Sequence, residues 1–318
     1  MPFEPSESPM TGGTSRRAFL SLGAGVATVA AVSAAAPASG AEPPLRFGVI
    51  ADCQYADKDT AIGRYYRDSI PKLEEAVATL NQADLRFSLH LGDFVDEFPE
   101  SFDAVLPIWD RLRMSKHMVL GNHDFQMPRE QVLTKLSMPS SYYQFRRNGW
   151  RFVVVDTNDI STYGNPQGSA NYLLAEQMLA ELQAAGKDNA QTWNGGVGAD
   201  QLAWIEQVLT HAQRQGDKVV LNAHHPIYPF SSYNAFNDDQ LVDLVTSYDN
   251  VVAWFNGHNH DGNYGFTGGK HFLNFKGMVD TPQTAYSTVQ AYDDHLVIDG
   301  FGREPDRVLP IGAPAYEV

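Results

Sequence analysis

A chain of 318 residues, 43% of them hydrophobic, has the apolar content for a substantial core and reads as globular. Its formal charge of −15 comes without any cluster of Lys or Arg, which argues against nucleic acid as a general partner. An anionic substrate would have to be held locally, by metal cations, backbone N–H groups or a few basic side chains.

Taken in chain order, residues 1–41 do not read as part of the fold. Arg16 and Arg17 precede a weakly apolar Ala/Val/Gly run, and small residues follow as far as Ala41. Residues 15–20 resemble the core of a twin-arginine export signal, which predicts the Tat machinery as a partner, cleavage between Ala36 and Ala41, and a periplasmic or extracellular destination. The alternative, an uncleaved membrane anchor, is disfavoured because the run barely reaches spanning length. A lipid anchor would need a cysteine at the junction, and the single cysteine is Cys53, which also leaves no intramolecular disulfide. The Tat route carries folded proteins, which suits one that loads a metal before export.

Residues 42–318 read as one compact domain. Strand-like runs at 45–51, 86–91, 117–120, 152–155, 218–223 and 251–255 alternate with helical periodicity at 73–80, 172–182 and 200–213, the last with Asp200 as its expected N-cap. That alternation predicts an α/β domain. Past residue 262 the helical period disappears, and strands at 271–276, 285–292 and 295–299 predict a second sheet of hairpins and meanders.

Five of the runs end in polar clusters: Asp52-Cys53-Gln54, Gly92-Asp93, Gly121-Asn122-His123-Asp124, His224-His225-Pro226 and Gly257-His258-Asn259-His260. Side chains at the carboxyl ends of neighbouring strands converge on one crevice in an open α/β sheet. Each cluster alone is commonplace, a turn or a surface loop. Jointly, two aspartates, an asparagine and several histidines at successive strand ends form a nearly complete ligand set for two divalent cations.

The order D-x-Q, G-D, G-N-H-D, H-x-P, G-H-x-H resembles the calcineurin-like metallophosphoesterases over essentially the whole of 42–318. The resemblance implies an α/β (α+β) fold of two facing β-sheets flanked by helices, an αββα sandwich, with a dinuclear centre at the strand ends. It implies Asp52, Gln54 and His260 on one ion, Asn122, His224 and His258 on the other, and Asp93 bridging both. His224 is chosen over His225 because it stands in the H-x-P frame. By the same resemblance His123 contacts the phosphoryl group or protonates the leaving oxygen, with Asp124 orienting it; a buttressing role for His123 is the alternative. The two ions would lower the pKa of a shared water, supplying a hydroxide for in-line attack.

Gln54 departs from the commoner D-x-H form. An amide oxygen in place of imidazole tilts a site toward Mn²⁺ or Mg²⁺ and away from Zn²⁺, so Mn²⁺ is favoured, with Mg²⁺, Fe or Zn²⁺ as alternatives. The D-x-Q form, with "RYYRDS", "WRFVVVDTNDIS", "NGGVGADQLAWIEQVL" and "FKGMVDTPQTAYSTVQAY", is similar to the Mn-dependent ADP-ribose/CDP-alcohol diphosphatase branch. That branch implies hydrolysis of a phosphoanhydride in a nucleoside diphosphate. A broad exported phosphodiesterase or phosphomonoesterase is the alternative enzyme, and a metal-binding module without turnover the alternative of another class. Strand alternation points Cys53 away from the ligands, into packing. Arg64, Tyr65, Tyr66 and Arg67 fit either a grip on base or phosphate or a partly buried helix face, and "DTNDIS" and "NGGVG" are expected to border the pocket.

Overall fold

The computed structural model describes residues 43–312, so the export signal read in 1–41 lies outside the described residues. The chain begins with β1 (Leu45–Ile50), α1 (Ser69–Leu80), β2 (Phe87–His90), α2 (Ser101–Trp109) and β3 (Ser115–Met118). These three strands are parallel, Phe47 facing Phe87 and Phe87 facing Ser115, and the helices between them supply the crossovers that parallel neighbours need. After α3 (Arg129–Lys135) the chain crosses to an antiparallel pair, β4 (Tyr143–Arg147) and β5 (Trp150–Val154). Helices α4 (Ala170–Ala184) and α5 (Ala199–Gln215) lead to β6 (Lys218–Asn222), and α6 (Asp238–Thr246) leads to β7 (Val251–Asn256), with β5, β6 and β7 mutually parallel.

The remaining strands are β8 (Asn263–Thr267), β9 (Lys270–Asn274), β10 (Ala285–Ala291), β11 (His295–Gly302) and β12 (Arg307–Pro310). They do not build a second sheet of their own, as their texture had led us to expect. β8 and β9 extend the edge beside β7, giving the order β4-β5-β6-β7-β9-β8, while β10 pairs antiparallel with β1, giving β12-β11-β10-β1-β2-β3. Alternation in a sequence specifies which face of a strand is buried and is silent about which sheet edge receives it.

The two sheets face each other and carry helices outside. Phe47, Phe87, Phe152, Val220 and Phe255 fill the space between them, with the rings of Phe47 and Phe87 stacked at 4.8 Å. Ile50 and Met118 face outward against Leu73, Val77 and Phe102 of α1 and α2, and Val153 and Leu221 face Ile205, Leu209 and Leu241 of α5 and α6. Strands covered on both faces lose the polar half of their alternation, which is why these runs read as continuous apolar stretches. Each fully buried Phe or Leu contributes about 1.5–3 kcal/mol. The N-cap of α5 is Gly198 rather than Asp200; Asp200 lies in the first turn, where its charge complements the helix dipole.

Candidate metal centre

The polar clusters lie where β1, β2, β3, β6 and β7 run out at one end of the two sheets. Backbone bonds continue past the strands, from Asp52 N to Gly92 O (3.2 Å) and from Gln54 N to Asp93 O (2.8 Å), before the chain turns. Asp52, Gln54, Asp93 and His258 all adopt left-handed backbone, with φ of 50°, 47°, 54° and 71°. Each such residue costs about 1–3 kcal/mol and persists only where its surroundings impose it; four of the nine non-glycine residues with positive φ among the described residues gather here. Two glycines let the turns close in: a Cβ on Gly121 would lie 2.1 Å from Asp93 Oδ1, and one on Gly257 would lie 2.6 Å from Asp52 Oδ2.

Two overlapping groups of buried ligand atoms result. Asp93, His224 and His258 form one, and Asp52, Asp93 and His260 the other, with the atoms of each group within 4.8 Å of one another. Asp93 belongs to both, the position of a bridging ligand. Asn122 Oδ1 lies 3.0 Å from His224 Nε2, and Gln54 Nε2 lies 3.5 Å from Asp93 Oδ2, so the seven residues expected from sequence are brought together.

Each histidine has one ring nitrogen engaged from behind. His224 Nδ1 donates to Leu91 O at 2.9 Å, His258 Nε2 to Asn194 Oδ1 at 3.0 Å, and His260 Nδ1 to Asp280 Oδ1 at 2.9 Å. These bonds fix the tautomers, so that in the neutral rings a metal requires, His224 Nε2, His258 Nδ1 and His260 Nε2 are the lone pairs facing inward. His224 Nε2 and His258 Nδ1 stand only 3.1 Å apart, a separation that two lone pairs tolerate only with a proton or cation between them. Burial opposes charging of His224, yet the adjacent Asp93 carboxylate pushes its pKa up to about 9; burial and the neighbouring His225 and His224 hold His258 well below the usual imidazole range. The buried Gln54 Oε1 has no hydrogen-bond partner. An orphaned amide oxygen, inward lone pairs and two carboxylates form a donor set that fits hard or borderline divalent cations.

His123 sits beside this set. Its backbone N–H donates to Asp93 Oδ1 at 2.8 Å, and its Nδ1 pairs with Asp96 Oδ1 at 2.8 Å. Burial works against its charged form, but Asp93 and Asp96 raise its pKa. Asp124 does not orient His123, contrary to the sequence expectation. Its carboxylate turns under the Asp93 loop and accepts from Phe94 N (2.8 Å), Gly121 N (2.8 Å), Asp93 N (3.1 Å) and Val95 N (3.3 Å). Burial and the charge of Asp93 push its pKa up to about 7. Adjacency in the sequence suggested the pair; the tight helical turn Asn122–Asp124 sends the two side chains apart.

Sequence reading missed Asp96, Asp280 and the role of Asn194. Asp96 follows Asp93 by three residues in the same loop, a signal that was present; Asp280 stands in the FKGMVDTPQ stretch noted above, but nothing local ties it to His260. Of the expected pocket borders, Asn194 reaches His258, and Asn158 Nδ2 donates to Leu120 O at 2.6 Å, just before Asn122. Cys53 is buried against Ile50, Leu73 and Phe94, away from the ligands, and burial pushes its thiol up to about 12. His225 bonds Thr157 Oγ1 at 2.7 Å behind the site. The "RYYR" stretch divides: Tyr66 is buried, Arg67 pairs with Asp57 and Asp59 on the surface, and Arg64 Nη1 lies 3.9 Å from Asp96.

The family model described as calcineurin-like phosphoesterase matches residues 45–262. The manganese-dependent ADP-ribose/CDP-alcohol diphosphatase of Homo sapiens is 31% identical over 313 residues, covering 83% of this chain and 92% of the relative. Its namesake from Arabidopsis thaliana is 32% identical over 297 residues, covering 82% and 96%. The crystal structure of a dimetal phosphatase from Danio rerio aligns with a TM-score of 0.79 at 25% identity, covering 85% of this chain and 100% of that one.

Proposed function

The chain belongs to the calcineurin-like phosphoesterase family and is a metal-dependent phosphohydrolase, and from that premise we propose that it cleaves the phosphoanhydride of ADP-ribose- or CDP-alcohol-type nucleoside diphosphates, releasing a nucleoside monophosphate. The observation that carries this choice over a general phosphoesterase is aromatic. Trp193 and Tyr233 are 45% and 39% exposed on the side of the site where Asn194 bonds His258, and the Tyr233 ring lies 5.7 Å from that of His258. Flat exposed rings beside phosphate-binding ligands suit a nucleobase, whose stacking contributes about 1–3 kcal/mol. The names of the relatives support the same substrate class and Mn²⁺ as the metal.

In this reading Asp52, Gln54 and His260 hold one ion, Asn122, His224 and His258 a second, and Asp93 serves both. When bound, the ions supply a hydroxide nucleophile at neutral pH and offset charge on the phosphoryl oxygens. His123 acts as the general acid: Asp96 takes its Nδ1–H, Asp93 and Asp96 favour its charged form against burial, and Nε2–H is the proton given to the leaving oxygen. Asp124 shapes the Asp93 loop. The acidic surface poses no obstacle to an anion held by cations. We further propose export by the twin-arginine route, on the strength of Arg16 and Arg17; replacing both with Lys and finding the protein still exported would overturn that part.

Product chromatography decides the substrate. The purified protein with Mn²⁺, Mg²⁺ or Zn²⁺ is given ADP-ribose, CDP-choline, a nitrophenyl phosphodiester and a phosphomonoester. AMP and CMP are expected fastest, with Mn²⁺; faster turnover of the simple esters would replace this reading with that of a broad phosphoesterase.

A further inference from the structure

Lys72, on α1, is 4% exposed, yet its ammonium is spent on backbone carbonyls. Nζ donates to Thr281 O at 2.6 Å, Met278 O at 3.0 Å and Val279 O at 3.1 Å, with Asp280 O at 3.5 Å. Four consecutive carbonyls thus point at one cation; without it their negative ends would face one another in a buried space. The loop they belong to is strained. Thr281, whose carbonyl comes nearest, has a φ of 58°, a region that β-branched residues rarely enter. Met278 N and Val279 N are tied to Ala51 O and Asp52 O, which anchors the same loop to the end of β1. Asp280, in the middle of this loop, accepts from His260 Nδ1, and His260 Nε2 lies 3.6 Å from Asp52 Oδ1.

We propose that Lys72 is a positioning residue for the metal centre: its ammonium gathers the 278–281 loop so that Asp280 holds the His260 ring with Nε2 turned toward Asp52. The inference rests on the reading that Asp52, Gln54, Asp93 and His260 hold an ion. It assigns the two halves of the centre different supports, since His224 and His258 are held by Leu91 O and Asn194, which Lys72 does not touch. Burial pulls the Lys72 pKa down to about 8, with Asp68 and Asp280 opposing and Arg303 adding to the fall, so the ammonium persists at neutral pH.

The test is Mn²⁺ binding to the full chain, by calorimetry and by electron paramagnetic resonance, in wild type, Lys72→Met, Asp280→Asn and the double variant. Outer partners of ligand histidines change metal affinity by about 10–100-fold. Lys72→Met is expected to weaken one of two binding events by that factor, to leave the other within about threefold, and to recover its rate at saturating Mn²⁺. Asp280→Asn should weaken the same event, and the double variant should be no worse than the single ones, because both act through one link. Unchanged binding in Lys72→Met, equal weakening of both events, or losses that add in the double variant would overturn the proposal. Should Lys72→Met not fold, Asp280→Asn still decides: loss of one event alone supports the link, and retention of both overturns it. A wild-type chain that binds no pair of ions overturns the metal reading beneath it.

Discussion

Asp124→Asn separates support from chemistry. The carboxylate accepts four backbone N–H groups, two on each oxygen: Phe94 and Val95 on Oδ1, Gly121 and Asp93 on Oδ2. An asparagine replaces one oxygen by an NH₂ group, so whichever way the amide turns, two buried N–H donors meet a donor. Each orphaned donor costs about 1–3 kcal/mol, which gives about 2–6 kcal/mol in all. For a domain of this size that lowers the melting temperature by roughly 3–10 °C. Asp93 moves with the loop, and since its carboxylate belongs to both ligand groups, metal content should fall together with stability. The assay is a melting curve beside metal analysis and a hydrolysis rate on one preparation. A variant that melts with wild type, retains its metal and is nevertheless inactive would refute the support role and return Asp124 to the chemistry.

His123→Ala should keep its fold and metal and lose far more activity on an alkyl phosphodiester than on ADP-ribose, because a phosphate leaving group, with its second pKa near about 6, needs protonation less than an alkoxide; equal losses in kcat/KM on both substrates would contradict it. Gln54→His should shift the ratio of Zn²⁺-supported to Mn²⁺-supported rates upward by exchanging an oxygen donor for nitrogen; an unchanged ratio would disconnect Gln54 from metal choice. His117, stacked on Phe145 at 3.6 Å, has a pKa lowered by burial, and by Arg147, from 6.5 to about 4. The unfolded chain therefore binds the extra proton between those values, so this contribution is intact above about pH 6.5 and is lost as pH falls toward 4, about 2 kcal/mol by pH 5. His117→Phe should flatten that acid limb in urea unfolding at pH 7 and pH 5; an identical limb would show that His117 does not titrate in this range.

The convergence of these polar residues was legible because type and place coincide: an Asp, Asn or His directly after an apolar run is a strand-end residue whatever the rest of the fold does. The strands that carry them were legible for the same reason, being covered on both faces. Less was visible where elements are short or exposed. β4 alternates exposed and half-buried residues over five positions, α2 holds Pro107, and α3 is seven residues long, so none gives a clear period. The supports of the site were hidden in another way. Asp280, Asn194 and Lys72 reach the ligands or their loops across long stretches of chain, and although Asn194 stands in a loop expected to border the pocket, nothing local tells which residue each one supports. Asp124 shows the converse, a neighbour in sequence that three-dimensional structure assigns to other work.

The pairing of β1 with β10 has a consequence for synthesis. Leu45 faces Ala291, so the strand that presents Asp52 lies on the order of 240 residues ahead of the neighbour that closes its open side. At about 5–20 residues per second the ribosome leaves that side uncovered for roughly 12–50 s, and His258 and His260 arrive only near the end of the interval. A nascent chain is thus an apolar strand with a bare hydrogen-bonding edge and half a set of ligands. Its dependence on a holdase should be greatest then, and a ribosome stalled before β10 should yield a chain that neither folds nor retains metal.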